Sequence, residues 1–288
     1  MKPVRQEFTS RQHMISRDFE FYHYKDEHPV EVEYHNHLFY EVFSFISGDV
    51  TYIVEGKSYR LKPGDIILIN NREIHKTFVK PGKVYERCVL WIDPDFIRTL
   101  GGDTDLTMCF ERSAMRNYNL LRPRTEYYIM IKNAMTCLQN AVFSEGYGNG
   151  ALKKAYLTEL LVYLNRAFLD SQDEDIELDV VYDEKVSSVI SYINENLQED
   201  LSLESLAGRF YTSKYHLLRE FKKHTGYTIY QYIRKKRLIT ARMLLKDGLR
   251  VTEVCQKCGF GDYSNFIRSF RKEFGHPPGH YKNYGSTN

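Results

Sequence analysis

Three histidines and a glutamate are the residues whose types and spacing could do chemistry. His35-Asn36-His37 is followed after three residues by Glu41 and after six more by Gly48, and His75 comes later. Side chains two and four positions apart on a strand face one side. His35, His37 and Glu41 can therefore converge inside a barrel if their strand continues or pairs back closely, and His75 can join them from a later strand. Three imidazoles and a carboxylate suit a divalent transition metal. They equally suit a small polar effector, such as a sugar, in the mouth of a barrel, and they can also bond one another. Buried without partners they would lose their hydration, so something must satisfy them. Tyr24 and Arg87 have the chemistry to join an effector site, as do Tyr22, Tyr34, Tyr40, Tyr52 and Trp91, all on strand-like runs. Cys255-x-x-Cys258 could hold half of a zinc site. No second pair lies nearby, and the two read as buried thiols.

The segments that must position these residues read first as strands. Residues 19–24, 30–37, 40–48, 50–56, 57–65, 66–71, 74–80 and 87–93 are short, aromatic and β-branched, with turn signals such as Ser47-Gly48, Glu55-Gly56 and Pro63-Gly64 between them. Runs of this length and spacing predict a small barrel or sandwich. The period then becomes that of amphipathic helices. Ile131, Met135, Leu138 and Val142 mark one over 123–144, and Leu152, Tyr156, Leu160, Tyr163 and Ala167 mark another over 151–169. Their apolar stripes need a partner surface, either the barrel or a second subunit, and a homodimer is expected. Asp170 to Glu184 holds eight acids and no Lys or Arg, which predicts a solvated, extended linker. Beyond it, helices are predicted over 184–197, from Ser202, from Ser213 to about His224, over 228–246, from Thr252 to Gly259, and from Asp262 to Phe274. Pro277-Pro278 opens a last short one.

The helical tail repeats itself. FKKHTG at 221–226 answers FRKEFG at 270–275, Leu217 answers Phe266 and Ser213 answers Asp262, all at an offset of 49. Each copy reads short helix, tight turn, cap, amphipathic helix. This is the helix-turn-helix pattern, whose second helix enters the DNA major groove. The exposed positions expected on these helices are Lys214, Tyr215, Leu218, Arg219 and Lys222 in the first copy, and Tyr263, Ser264, Asn265, Arg268 and Arg271 in the second. Arg can read guanine with two hydrogen bonds, and apolar groups can pack on thymine methyls. Residues 201–288 carry 17 Lys+Arg against 6 Asp+Glu, whereas residues 1–200 carry 23 against 32. A basic tail on an acidic body predicts a polyanion partner for the tail.

Residues 184–284 resemble the DNA-binding domain of the AraC family of bacterial transcription regulators. The match lies in LSLESLAGRF, TSKYHLLREFKKHTG, YQYIRKKRLITARMLL and VTEVCQKCGFGDYSNFIRSFRKEFGHPPGHYK. Gly259-Phe260, Phe266, Phe270, Phe274-Gly275, Pro278 and Tyr281 stand at the family's signature positions. The resemblance implies two helix-turn-helix units joined by helix 228–246 and set in successive major grooves, roughly 34 Å or about 10 bp apart. It implies that Tyr215, Leu218 and Arg219 read one half-site, that Tyr263, Ser264 and Arg268 read the other, and that Arg237 is structural. The His35–Gly48 spacing resembles the first motif of the cupin barrel. Gly64 and His75 match the second motif, but Asn70, Arg72 and Val79 replace its proline, glycine and asparagine. Cupin domains are the usual sensor half of AraC-type regulators, so the two resemblances agree.

The expected fold is α+β. A cupin-like β-barrel spans 1–122, a helical dimerisation segment 123–170, an acidic linker 171–183, and an all-α DNA-binding domain with two helix-turn-helix units 184–288. The expected function is sequence-specific regulation of promoter DNA in the cytoplasm, as an activator working with RNA polymerase by resemblance. The effector would bind His35, His37, Glu41, His75, Tyr24 and Arg87. No catalysis and no required cofactor are expected; a divalent metal on His35, His37, Glu41 and His75 is the alternative. Two rival functions are a metal-dependent cupin enzyme fused to a DNA-binding tail, separable by metal analysis, and a nonspecific nucleic-acid binder, separable by its indifference to sequence. Composition sets the outer bounds. A chain of 288 residues makes about two domains, and 42% apolar with 27% charged residues is ordinary for a globular protein. No stretch approaches the ~18 apolar residues of a membrane span. The N-terminus has no apolar core and does not read as a secretory signal, and five cysteines suit a reducing compartment.

Overall fold

Short runs rich in Tyr, Phe, Ile and Val build a β-sandwich in the first part of the chain, one sheet largely buried on both faces and the other on one. The computed structural model describes residue 8, residues 11–171 and residues 179–283. In one antiparallel sheet lie β1 (Phe19–Asp26), β2 (Tyr40–Ser47), β5 (Ile66–Ile69), β7 (Tyr85–Ile92) and β8 (Leu120–Leu121), in the order β1-β7-β2-β5-β8. In the other lie β3 (Val50–Val54), β4 (Lys57–Arg60), β6 (His75–Val79) and β9 (Val180–Val181), in the order β6-β3-β4-β9. Tyr22, Tyr24, Phe43, Phe45 and Trp91 of the first sheet pack inward with Tyr52, Val54 and Tyr59 of the second. Phe21, Val42, Leu90 and Ile92 point outward, under α1 (Pro94–Leu100), α2 (Met108–Met115), α3 (Thr125–Val142) and α4 (Asn149–Asp170). A strand buried on both faces has no reason to alternate, and β5 reads Ile-Ile-Leu-Ile, all buried.

The α+β class stands, with corrections to detail. The sheets do not close into a barrel; they stack, and each keeps its own edges. The run 30–37 forms no strand. Its backbone meets the edge strand β6 in one His35–His75 bridge, and its side chains Glu31 and Glu33 pair with Lys76 of that strand. Residues 93–121 leave the sheets for α1 and α2 before returning as β8. Asp93 caps α1 by accepting from the Asp95 and Phe96 amides, and Pro94 occupies its first turn. The apolar stripes of α3 and α4 are used within the unit, where Ile131, Met135, Leu138, Leu160 and Leu164 cover the outer sheet face. Of the acidic segment 171–183, residues 172–178 lie outside the described residues. Its far end is held rather than solvated: Asp179 pairs with Lys62 and, at 2.9 Å, with Arg122, and Val180–Val181 pair with β4.

Two compact units result, one ending at Val181 and the other beginning at Tyr182. The second is all helix: α5 (Glu184–Glu195), α6 (Leu203–Arg209), α7 (Lys214–Thr225), α8 (Ile229–Lys246), α9 (Val251–Lys257) and α10 (Tyr263–Phe274), then a 3-10 turn Pro278–Asn283. Local chemistry places the helix starts. Ser202, Ser213, Thr228 and Asp262 each accept a hydrogen bond from a first-turn amide, and Thr228 completes a capping box with Gln231. One start differs from expectation. α9 begins at Val251, after Arg250, without a side-chain cap, and the packing of Val251 and Val254 holds it instead of Thr252. Leu217, Phe221, Ile229 and Tyr232 bury the core of the first half; Leu238, Leu245, Val254, Phe266 and Phe270 bury that of the second.

Candidate functional site

The sandwich interior centres on Glu41, which is 6% exposed. It lies on β2 opposite Trp91 of β7. Its Oε2 accepts from Trp91 Nε1 at 2.8 Å and its Oε1 from the Tyr52 hydroxyl at 2.9 Å, so one carboxylate links both sheets. The ligating atoms of His37, Glu41 and His75 all lie within 4.8 Å of one another. The His35 ring stands 4.2 Å from that of His75 and 6.1 Å from that of His37, centre to centre. The structure thus brings His37, Glu41 and His75 together and leaves half-buried His35 beside His75, outside that group, by a route other than alternation along one strand. His35 and His75 exchange backbone hydrogen bonds of 3.0 and 2.9 Å at the sheet edge, and the chain then turns through Phe39 into β2.

Each imidazole has one nitrogen fixed. Nδ1 of His35 bonds the Glu33 carbonyl at 2.9 Å, that of His37 the Phe39 carbonyl at 2.8 Å, and that of His75 the Glu73 carbonyl at 3.1 Å. A carbonyl oxygen only accepts, so Nδ1 carries the hydrogen and, in a neutral ring, Nε2 carries the lone pair. The Nε2 atoms of His37 and His75 are buried without a hydrogen-bond partner among the described residues. His37 Nε2 stands 3.4 Å from Glu41 Oε2, within ion-pair reach but outside hydrogen-bond geometry. A neutral ring there aims a lone pair at a carboxylate, and a proton or another cation between them relieves the repulsion. Burial, reinforced by the neighbouring imidazoles, pushes His75 well below its ordinary range and keeps it neutral. Burial alone would raise Glu41, but its contact with His37 holds it below the usual carboxylate range. The cluster is therefore rich in acceptors. It fits a divalent cation, or a ligand that brings hydrogen-bond donors.

Tyr24 and Arg87 lie on the same inner face, paired across β1 and β7. Arg87 is four positions from Trp91 along β7, or about 13 Å at the usual rise per residue. Its guanidinium pairs with Asp26 and lies 4.0 Å from the Tyr85 ring and 4.8 Å from that of Tyr24. The structure thus places these two at the far end of the interior from Glu41. Phe8 and Met14 pack against this interior, and Arg11 lies 5.5 Å over the Trp91 ring. Tyr40 points outward instead, where its hydroxyl donates to Glu111 at 2.6 Å.

Every residue expected to face DNA is exposed on α7 or α10. In α7, Lys214 pairs with Glu204, and Arg219 donates to Glu220 at 2.9 Å. In α10, Ser269 donates to Asn265 at 3.3 Å. Two exposed residues were missed. His216 lies in the first turn of α7, 3.4 Å from an Arg219 nitrogen, and the repeat offset of 49 already pairs it with Asn265. Tyr211, 93% exposed in the turn before α7, carried no sequence signal. Cys255 and Cys258 are both buried in the core of the second half, and burial pushes the Cys258 thiol up to about 12.

A family model described as an AraC-like ligand binding domain matches residues 20–161, and a helix-turn-helix domain model matches residues 206–284. The chain is 26% identical over 245 residues to the HTH-type transcriptional activator RhaS of Salmonella schwarzengrund, covering 85% of each chain. It is 27% identical over 246 residues to RhaS of Escherichia fergusonii, again covering 85% of each. A solved structure of the DNA-binding domain of AdpA in complex with a target DNA matches 35% of this chain and 91% of that one, at 30% identity and a TM-score of 0.34.

Proposed function

The chain belongs to the AraC family of DNA-binding transcription regulators, which are not enzymes, and from that premise we propose that it activates a promoter when a small polar metabolite, a sugar or a related compound, occupies the cluster of His35, His37, Glu41 and His75. The observation that carries this reading is the buried acceptor array: a carboxylate and two imidazole nitrogens without a hydrogen-bond partner among the described residues lie in the interior of the ligand-binding half. Hydroxyl groups of an effector supply the donors these atoms need. Tyr24 and Arg87 then hold its far end. Activation as the sign of control is carried over from the relatives, which are named as activators.

Effector binding shifts the population between arrangements that can and cannot engage DNA. Lys214, Tyr215, Leu218, Arg219 and Lys222 face one half of a bipartite promoter site, and Tyr263, Ser264, Asn265, Arg268 and Arg271 face the other. RNA polymerase is the further partner, and the cytoplasm the place of action. No helix among the described residues is long and apolar enough to cross a membrane. A homodimer forms through α3 and α4, where Ile129, Met130 and Leu152 stay exposed after the sheet face is covered. Sedimentation of the full chain at tens of micromolar tests this, and a monomer refutes it.

A divalent metal is the second reading, favoured by the three Nδ1 atoms pinned on carbonyls. His37, His75 and Glu41 would hold it, with His35 beside them. Such an ion would supply a Lewis-acidic anchor for effector oxygens.

Trp91 is the sole tryptophan and donates to Glu41, so its fluorescence reports on the cluster. A sugar panel screened by thermal shift on the full chain should yield a compound that raises the melting temperature, changes Trp91 emission and alters promoter affinity. The double variant His37→Ala with Glu41→Ala should lose all three responses and keep DNA binding. A stabilising ligand that leaves Trp91 unchanged places the effector elsewhere. Elemental analysis of protein purified without chelator decides between the two readings: stoichiometric metal, absent from the double variant, supports the second.

A further inference from the structure

The linking helix α8 can hold two reading helices at one spacing only if each half is fixed against it. Arg237, in the middle of α8, makes that connection. Its Nε donates to the Leu197 carbonyl at 2.8 Å and its Nη2 to the Glu199 carbonyl at 3.1 Å. Both carbonyls belong to the stretch after α5 that leads into α6, hence to the first half. Carbonyls past a helix end have no intrahelical donor and need one from elsewhere.

The second half closes on the same point. Gly259, in the turn between α9 and α10, has φ +72 and no free space around its Cα. A Cβ there would stand 2.4 Å from the Leu197 carbonyl oxygen and 2.8 Å from Arg237 Nη2. Only glycine accepts both that φ and that approach. One carbonyl, Leu197 O, thus takes a hydrogen bond from α8 and lies against the backbone of the second half. Arg237 also lines a cleft of about 610 Å³ whose walls include Leu218 of α7 and Asn265 of α10. The junction therefore sits where the two halves face each other.

We infer that Arg237 is a positioning residue that sets the spacing at which the two halves read DNA, by locking the α5–α6 segment and the Gly259 turn against one point of α8. This rests on the reading of α7 and α10 as the DNA-reading helices. The planar guanidinium matters, because two carbonyls in different directions need two fixed donors; a lysine ammonium offers a flexible point charge instead.

The test uses the full chain and the duplex consensus it recovers by selection from a random-sequence library. Binding is measured on that duplex, on versions with one base pair added or removed between the half-sites, and on a duplex with a single half-site. One base pair turns a half-site by roughly a tenth of the helix, so the native protein should lose about tenfold or more. Arg237→Ala and Arg237→Lys should bind the three spacings within about threefold of one another, with single-half-site affinity kept within about twofold. Gly259→Ala, which pushes the second half away from Leu197, should move the preferred spacing or flatten the preference without removing the guanidinium. If the variants keep the native spacing preference, or if single-half-site affinity falls in step with it, Arg237 is not a positioning residue. If the native chain shows no spacing preference, the two-helix reading itself fails.

Discussion

The sandwich interior and the reading face of the helical unit treat polar groups in opposite ways. Around Glu41 they are buried, gathered from β2, β6, β7 and a loop, and two imidazole nitrogens find no hydrogen-bond partner among the described residues. On α7 and α10 they are exposed and hydrated, each delivered by one helix. A buried acceptor left unpaired is costly and calls for one well-fitted donor. Exposed cations cost little and wait for a polyanion, whose binding releases counterions. On the proposed function, the first arrangement selects a ligand by shape and donor pattern, and the second gathers affinity from charge.

Salt should separate the two regions most widely. If the helical unit meets 6–10 phosphates, raising salt from about 50 to about 200 mM should weaken DNA binding by roughly 10³–10⁵. Effector affinity at the buried cluster should barely move, because buried interactions are screened far less. Equal salt sensitivity in parallel titrations of the full chain would erase the contrast.

Next in size is Glu41→Leu. It leaves the Tyr52 hydroxyl and the Trp91 indole without their acceptor. A buried neutral donor left without an acceptor costs about 1–3 kcal/mol, and here there are two. Urea unfolding followed by Trp91 fluorescence should show that loss, while DNA binding by the second unit persists.

The two reading helices then differ between themselves. Arg219 must leave Glu220 to reach a base, whereas Arg268 has no acid within four residues on its N-terminal side. Arg268→Ala should cost roughly 1–3 kcal/mol of specific binding at its half-site. Arg219→Ala should cost less, and at the other half-site, by competition binding to matched and mutated duplexes. The smallest effect belongs to Glu220→Gln. Surface ion pairs are worth about 0–1 kcal/mol, so freeing Arg219 should tighten binding by no more than that. A loss of affinity instead would mean Glu220 orients Arg219 productively.

The helical unit is largely legible in its amino-acid order. Caps at Ser213, Thr228 and Asp262, the repeat at offset 49 and the helical period of its apolar residues are all local, and helix formation is a local matter. Even the overlooked His216 was signalled by the repeat, through Asn265. The start of α9 was misplaced because packing, not a cap, holds it.

For the sandwich, residue types were legible and their placement less so. The H-x-H-x3-E spacing named the members of the cluster, yet the strand expected to carry His35 and His37 does not form. Nothing along residues 30–37 reveals that the backbone bridge to β6 falls at His35. Nor does β2 reveal by itself that Tyr40 turns out to Glu111 while Glu41 turns in to Tyr52 and Trp91. Period-two alternation says which residues share a face, but which face is the interior depends on strands far off in the chain. So the amino-acid order settles the chemistry available and the helices that carry the residues proposed to face DNA. Long-range pairing of β2, β6 and β7 decides that His37 and His75 meet the Glu41 carboxylate, because a β-strand takes its partners and its buried face from its neighbours rather than from itself.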